Sequence, residues 1–117
     1  MASKVALIIT NTKLYGQTLA QAIGFTSYAL IVVEPQASLA AVQDASHRYD
    51  LIIAENERGE NKAFWGVNLI RISKFFNPRT KSILLSKERI EDPNVDEVLR
   101  NPANLNLLEL KTRELLF

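Results

Sequence analysis

The chain has 117 residues, a net charge of +1, and 47% hydrophobic residues. This length suits a single domain with one core, and the near-zero net charge, without a dense basic stripe, disfavours nucleic acid as the main partner. The absence of cysteine excludes disulfides, thiolate catalysis and thiolate metal sites. The apolar runs are far shorter than the roughly 20 residues needed to span a membrane, and the N-terminus lacks a signal-peptide pattern, so we expect a cytoplasmic protein.

Short apolar runs rich in β-branched residues predict buried strands. They are VALII from Val5, ALIVV from Ala29, LII from Leu51, SILL from Ser82 and LNLLEL from Leu105. Apolar residues at consecutive positions are typical of strands that are covered by helices on both faces.

Helical patterns follow each of these strands. The first carries Tyr15 and Leu19 on one face and ends near Gly24, and the second is ASLAAVQDASHR, from 37 to 48. The third has an apolar stripe from Trp65 to Phe76 and ends before Pro78.

The last two helical patterns lie near the C-terminus. The fourth, DPNVDEVLR, opens with Asp92 as a capping residue and a proline suited to the first helical turn. The fifth, KTRELLF from Lys111, amounts to only about two turns. We therefore expect the chain to be truncated in or after its fifth helix.

Strand–helix alternation predicts one α/β domain over residues 1–117. The expected architecture is a flavodoxin-like (βα)5 fold, a doubly wound parallel sheet with strand order 2-1-3-4-5 and helices on both faces. In such folds, ligands and reactive groups collect at the carboxyl ends of the strands. The loops that follow the strands are therefore the places to look for a functional site.

The segment YDLIIAE, from 49 to 55, resembles the third strand of the receiver domain of bacterial response regulators. In that family, an aspartate at the start of this strand is followed five positions later by the aspartate that accepts a phosphoryl group. Asp50 matches the first position and Glu55 the second. Ser86 matches the hydroxyl residue that ends strand four and swings toward the phosphate, and Gly66 matches a common glycine of helix three.

Other positions depart from the receiver pattern. Receivers carry two acidic residues after strand one, which hold Mg²⁺, a cation that requires oxygen ligands; the matching positions here are Thr10 and Asn11. The lysine expected after strand five is offset, because Leu110 occupies its position and Lys111 follows. The resemblance therefore implies a degenerate receiver, a pseudo-receiver, that binds no metal, needs no cofactor and catalyses no reaction.

Four interpretations of the loops remain open. Glu55 either imitates a phosphorylated aspartate or is an ordinary solvated loop carboxylate, and a phosphorylatable receiver with an atypical acceptor is the first alternative function. A second alternative is a flavodoxin-like module that binds flavin mononucleotide or a nucleotide phosphate, because TNTKLYGQT offers the hydroxyls of Thr10 and Thr12 beside a helix N-terminus.

The resemblance also implies that the domain works through a protein partner, an effector domain or a homodimer. Receivers use a face made by helix four, strand five and helix five, and no nucleic acid or membrane is expected to bind. The matching interaction face comprises Val95, Val98, Leu99, Leu115, Leu116 and Phe117.

Several conspicuous side chains have simpler explanations than a site. We interpret His47 as a solvated residue at a helix end, and Arg58 as part of a solvated loop of mixed charge. Trp65 and the pair Phe75–Phe76 are interpreted as core and edge packing.

Overall fold

A computed structural model describes residues 4–24, 26, 28–44, 46 and 48–117. Within them lies one five-stranded parallel sheet with strand order β2-β1-β3-β4-β5 and helices on both faces. The predicted doubly wound, flavodoxin-like fold is confirmed. His47, interpreted above as a helix-end residue, lies outside the described residues.

The elements alternate along most of the chain. The strands are β1 (Val5–Ile9), β2 (Tyr28–Val32), β3 (Leu51–Glu55), β4 (Lys81–Ser86) and β5 (Glu97–Arg100). The helices of the described residues are α1 (Lys13–Ala22), α2 (Pro35–Gln43), α3 (Gly66–Phe76) and α4 (Leu105–Leu116), with a short 3-10 turn at Lys62–Phe64. None of these helices is long and apolar enough to cross a membrane.

The strands are apolar on both faces because each face meets helices. Side chains alternate between the two faces of a strand, so Ile8 and Ile53 pack with α1 and α4 through Leu19 and Leu108. Their neighbours along β1 and β3 point the other way, into a second core cluster under α2 and α3. This packing fixes the register that aligns the carboxyl ends of the strands at one edge.

The prediction of a fourth helix from Asp92 is wrong, because this segment forms a loop followed by β5. The Asp92 carboxylate accepts a hydrogen bond from the backbone N–H of Asn94 at 2.9 Å, and the Asp92 carbonyl accepts one from Val95 N–H at 3.1 Å. Asp92 thus closes a tight turn instead of capping a helix. Val98 and Leu99 then continue into β5, which pairs with β4.

The prediction of a fifth strand from Leu105 is also wrong, because Leu105–Leu116 is the 12-residue helix α4. Asn104 caps this helix by accepting a hydrogen bond from Leu107 N–H at 3.1 Å. Leu108 and Thr112 are fully buried one turn apart, which is helical spacing. The final helix is therefore longer than the two turns on which the expected truncation was based. The truncation itself stays a prediction.

The loop between β4 and β5 is held on α3 by two ion pairs. Arg71 contacts Asp92 at 2.5 Å, and Lys74 contacts Asp96 at 2.8 Å. Asp96 also accepts a hydrogen bond from the backbone N–H of Ser82 at 2.8 Å. These contacts take the place of the packing that a fourth helix would have supplied.

Both aspartates of this loop have pKa values below the usual range. Burial alone would raise the pKa of Asp92 and of Asp96. Hydrogen bonds outweigh burial and lower the pKa in each case: those from Asn94 and Arg71 to Asp92, and those from Lys74 and Ser82 to Asp96. The charged form of each aspartate therefore stabilises the folded state.

We expect Asp96→Ala to lower the free energy of unfolding by about 1–3 kcal/mol, because it leaves the Ser82 N–H without its partner. A carboxyl group whose pKa is lowered on folding stabilises the protein above its unfolded-state pKa, about 3.9. That contribution is lost as the pH falls through the folded-state value. The difference from wild type should therefore shrink as the pH falls from about 5 to about 2.

Urea denaturation at several pH values measures this difference. Glu91→Ala is the matched control, because the Glu91 side chain is 83% exposed and pairs with the exposed Arg89. It should change stability by less than about 0.5 kcal/mol. Equal effects of the two variants at neutral pH would contradict the assigned role of Asp96.

Candidate functional site

The candidate site lies at the carboxyl edge of the sheet, around the Glu55 side chain. Glu55 is the last residue of β3, and the loops after β1 and β5 lie beside it. Its side chain is buried, with the residue only 7% exposed. The interpretation of Glu55 as a solvated loop carboxylate is therefore wrong.

Three amide N–H donors surround the Glu55 carboxylate. The backbone N–H of Asn11 donates to Oε1 at 2.8 Å. The side-chain amides of Asn11 and Asn101 donate to Oε2 at 3.2 and 2.9 Å. Hydrogen bonds to a carboxylate are about twice as strong as neutral ones. The amide dipoles therefore offset the free-energy cost of burying the Glu55 charge, and no cation among the described residues contacts it directly.

Asn101 is held in place by Tyr15. The Tyr15 hydroxyl donates to Asn101 Oδ1 at 2.9 Å and accepts a hydrogen bond from Ala103 N–H at 2.8 Å. Burial raises the pKa of Tyr15 and outweighs the lowering by the hydrogen bond from Ala103, and the nearby charge of Glu55 adds a smaller increase. The hydroxyl therefore stays protonated, and it orients the Asn101 amide with its NH₂ group toward Glu55.

Asn101 also occupies the position that the receiver resemblance assigns to a lysine. It directly follows Arg100, the last residue of β5. Lys111, expected above as an offset lysine, instead lies in α4 and pairs with Glu97 and Glu114 at 3.6 and 3.4 Å. Sequence reasoning missed Asn101 because it placed the fifth strand too late in the chain.

The two positions of the missing acidic pair behave differently. Asn11 contacts Glu55, whereas Thr10 is fully buried and donates its hydroxyl to the Thr12 carbonyl at 2.7 Å. Thr12 caps α1 by accepting a hydrogen bond from Tyr15 N–H at 3.2 Å. Within the described ranges, no group of three or more acidic or histidine side chains is arranged to hold a metal ion.

A second carboxylate, that of Glu57, engages the predicted switch hydroxyl. Ser86, the last residue of β4, donates its hydroxyl to Glu57 Oε1 at 2.9 Å, and the backbone N–H of Lys87 donates to the same oxygen at 3.2 Å. The other carboxylate oxygen, Oε2, is buried and has no hydrogen-bond partner among the residues that the structure describes. Glu57 thus joins the loop after β3 to the loop after β4. The sequence patterns did not predict this contact.

Gly66 allows the first turn of α3 to lie against the backbone of Glu55. A Cβ atom at this position would lie 2.5 Å from the Glu55 carbonyl oxygen, which is closer than such atoms approach. The loop residue Asn56 completes the junction, because its side chain accepts a hydrogen bond from Val67 N–H at 3.1 Å. A side chain at position 66 would therefore push α3 away from the site.

Arg58 is buried, at 4% exposure, so its interpretation as a solvated loop residue is wrong. Its guanidinium donates to the carbonyls of Val33 and Phe64 and, at 3.1 Å, to the Ser38 hydroxyl. Burial lowers the pKa of Arg58, and the charge of Glu55 partly opposes that effect. Arg58 therefore anchors the loop after β3 to the segment after β2.

The predicted interaction residues have different environments. Leu99 is buried in the core, and Val95 and Val98 pack against the core cluster under α3. Leu115 and Leu116 pack against the other cluster, whereas Phe117 is 74% exposed. The helix predicted from Asp92 does not form, so it is not part of the proposed interaction face. Dimerisation through the other residues of that face stays a prediction.

No protein-family model matches the chain, and a search of curated proteins finds no match either. Solved structures do match it in fold. One is described as adenylate cyclase from Rhodopirellula baltica. It is 13% identical, has a TM-score of 0.80, and the match covers 98% of this chain and 88% of that chain. A second is the BeF3-activated receiver domain of DrrB, a Thermotoga maritima protein, with 13% identity, a TM-score of 0.79 and 98% coverage of both chains.

A third similar structure is a CheY-like response regulator receiver domain protein from Methanospirillum hungatei. It is 18% identical, has a TM-score of 0.74, and the match covers 97% of this chain and 94% of that chain. The TM-scores of 0.74 to 0.80 establish a shared fold. The chain therefore has the fold of response-regulator receiver domains, with amides around the central carboxylate.

We expect Glu55→Gln to lower the free energy of unfolding by about 1.5–3 kcal/mol. The substitution preserves the shape of the side chain, but it removes the charge and brings an NH₂ group toward the amides of Asn11 and Asn101. Urea denaturation measures the change. The same substitution at the exposed residue Glu60 is the control, with no expected effect; an equally small effect at Glu55 would contradict the role of its charge.

Proposed function

We propose that this protein is a phosphorylation-independent, receiver-like signalling domain that acts through protein–protein contacts and catalyses no reaction. The observation that carries the proposal is the set of neutral amide donors around Glu55. The receiver fold, found also in response regulators, supports the signalling part of the proposal.

The electrostatics of the site argue against phosphoryl transfer to Glu55. This reaction depends on positioning and on cations that neutralise the transferring group. Asn11 lies where a metal-binding acid would be expected, and Asn101 lies where a lysine would be expected. Both amides are already bonded to Glu55, so an incoming phosphoryl group would have to displace them.

The Glu57 contact supports independence from phosphorylation by a second route. In the receiver resemblance, the hydroxyl that ends strand four turns toward a phosphoryl group. Here Ser86 and the N–H of Lys87 both donate to one oxygen of Glu57. An internal carboxylate therefore supplies the anion, and the loop after β4 is held in one engaged arrangement without modification of Glu55.

The two alternative functions receive less support from the same contacts. A phosphorylatable site with an atypical acceptor would need the charged groups that the amides replace. A flavin- or nucleotide-phosphate site would need the hydroxyls of Thr10 and Thr12, but one bonds a backbone carbonyl and the other caps α1. Neither hydroxyl is oriented toward a ligand.

We expect no saturable response to Mg²⁺, with or without beryllofluoride, at millimolar concentrations. Amide NMR shifts of residues around Glu55 report binding. Asn11→Asp is the comparison variant, because it places a second carboxylate beside Glu55 and should gain affinity for Mg²⁺. Saturable shifts around Glu55 in the unmodified protein would contradict the proposal.

We expect Glu57→Ala to free the Ser86 hydroxyl and the Lys87 N–H for an external anion. Amide signals of residues 86–88 should move in the variant, and inorganic phosphate should then shift them further in a saturable way. Wild type and Glu60→Ala, a change at an exposed position, should not respond to phosphate. Identical signals of residues 86–88 in Glu57→Ala and wild type would overturn the assigned contact.

A further inference from the structure

A cavity of about 390 Å³ lies at the opposite edge of the sheet from Glu55. It is formed where the chain enters β3 and β4, and Arg48, Phe76 and Arg79 are among its lining residues. We propose that this cavity binds a carboxylate of an acidic, apolar polypeptide segment of a partner protein. The proposal goes beyond the function proposed above, because it concerns a separate surface.

The two arginines give the cavity its chemistry. Arg48 and Arg79 are both exposed, and neither has a hydrogen-bond or ion-pair partner in the part of the chain that the structure describes. The planar guanidinium group presents paired donors that match a carboxylate in a bidentate geometry. Two such groups on one cavity provide a site for an anion of that shape.

The acidic group in the cavity does not cancel this charge. Asp50 also lines the cavity, and its carboxylate accepts a hydrogen bond from Val5 N–H at 2.8 Å. No ion pair joins Asp50 to either arginine. One carboxylate against two guanidinium groups leaves a net positive cavity, which favours an anionic ligand group.

The aromatic ring of Phe76 lines the cavity with the arginines and provides an apolar contact, which the neighbouring ring of Phe75 extends. Phe75 is 80% exposed and Phe76 is 40% exposed, and their rings meet edge to face at 5.2 Å. The expectation of core packing is therefore wrong for this pair, whereas edge packing stays a prediction. Exposed aromatic rings and arginines are the residues that most often dominate binding energy in protein interfaces.

The adjoining surface argues for a polypeptide ligand over a small molecule. A mostly apolar groove of about 730 Å³ shares Arg48 and Tyr49 with the cavity and extends to Tyr28 on β2. Its walls include Leu30 of β2 and the small side chain of Ala41 in α2, with Asp44 at the end of that helix. A segment with apolar side chains in this groove could place a carboxylate between the arginines.

The probe is N-acetyl-phenylalanine, which carries a carboxylate and an apolar ring. The neutral control compound is N-acetyl-phenylalanine amide. Amide NMR titrations at neutral pH are run on wild type, Arg48→Ala and Arg79→Ala. Arg89→Ala is the control, because Arg89 is also exposed and lies in the loop between β4 and β5. All four proteins should be folded, because each change is at an exposed side chain.

We expect the acid to cause saturable shifts in residues 48–50 and 76–80 of wild type and of Arg89→Ala. The neutral amide, and the acid with either cavity variant, should bind at least about fivefold more weakly, as expected on losing a charge-assisted hydrogen bond. No saturation in wild type, equal binding of acid and amide, or unchanged binding in both cavity variants would each overturn the proposal.

Discussion

The burial of one carboxylate, that of Glu55, determines how the functional edge of this domain is built. A buried charge is costly unless strong donors surround it. Here the donors are the amides of Asn11 and Asn101, and Tyr15 orients the second of them. Because these residues follow β1 and β5, satisfying Glu55 also fixes the loops on either side of the central strand. The site is therefore one hydrogen-bonded unit, which lines a cavity of about 290 Å³.

A hydrogen-bonded site of this kind suits a domain that presents a surface without changing its covalent state. Receiver-like switching would need a hydroxyl that is free to change partners, but Ser86 is already bonded to Glu57. The β4–β5 loop, in turn, is tied to α3 by ion pairs of Arg71 and Lys74. In the account proposed here, the fold supplies a fixed arrangement of loops and the information lies in the partners that bind it.

The first four strands and the first three helices could be predicted because their hydrophobic patterns match their structures. The chain from Asp92 onward could not, because local signals there favoured the wrong element. Asp92 and the following proline suit either the start of a helix or a turn. The side-chain contact of Asp92 with Arg71 in α3, which favours the turn, is not visible in the local sequence. The leucine run from Leu105 fits a strand or a buried helix, and tertiary packing decides between the two. This error moved the end of strand five past Asn101 and concealed a principal partner of Glu55.

The most direct test of the central claim is intact-protein mass spectrometry after incubation with acetyl phosphate and Mg²⁺. A receiver domain of established phosphoryl acceptance serves as the positive control. The account predicts that the mass of this protein remains unchanged while the control gains one phosphoryl group. A phosphorylated species that forms in wild type, and does not form in Glu55→Gln, would contradict the account by showing that Glu55 is a functional acceptor.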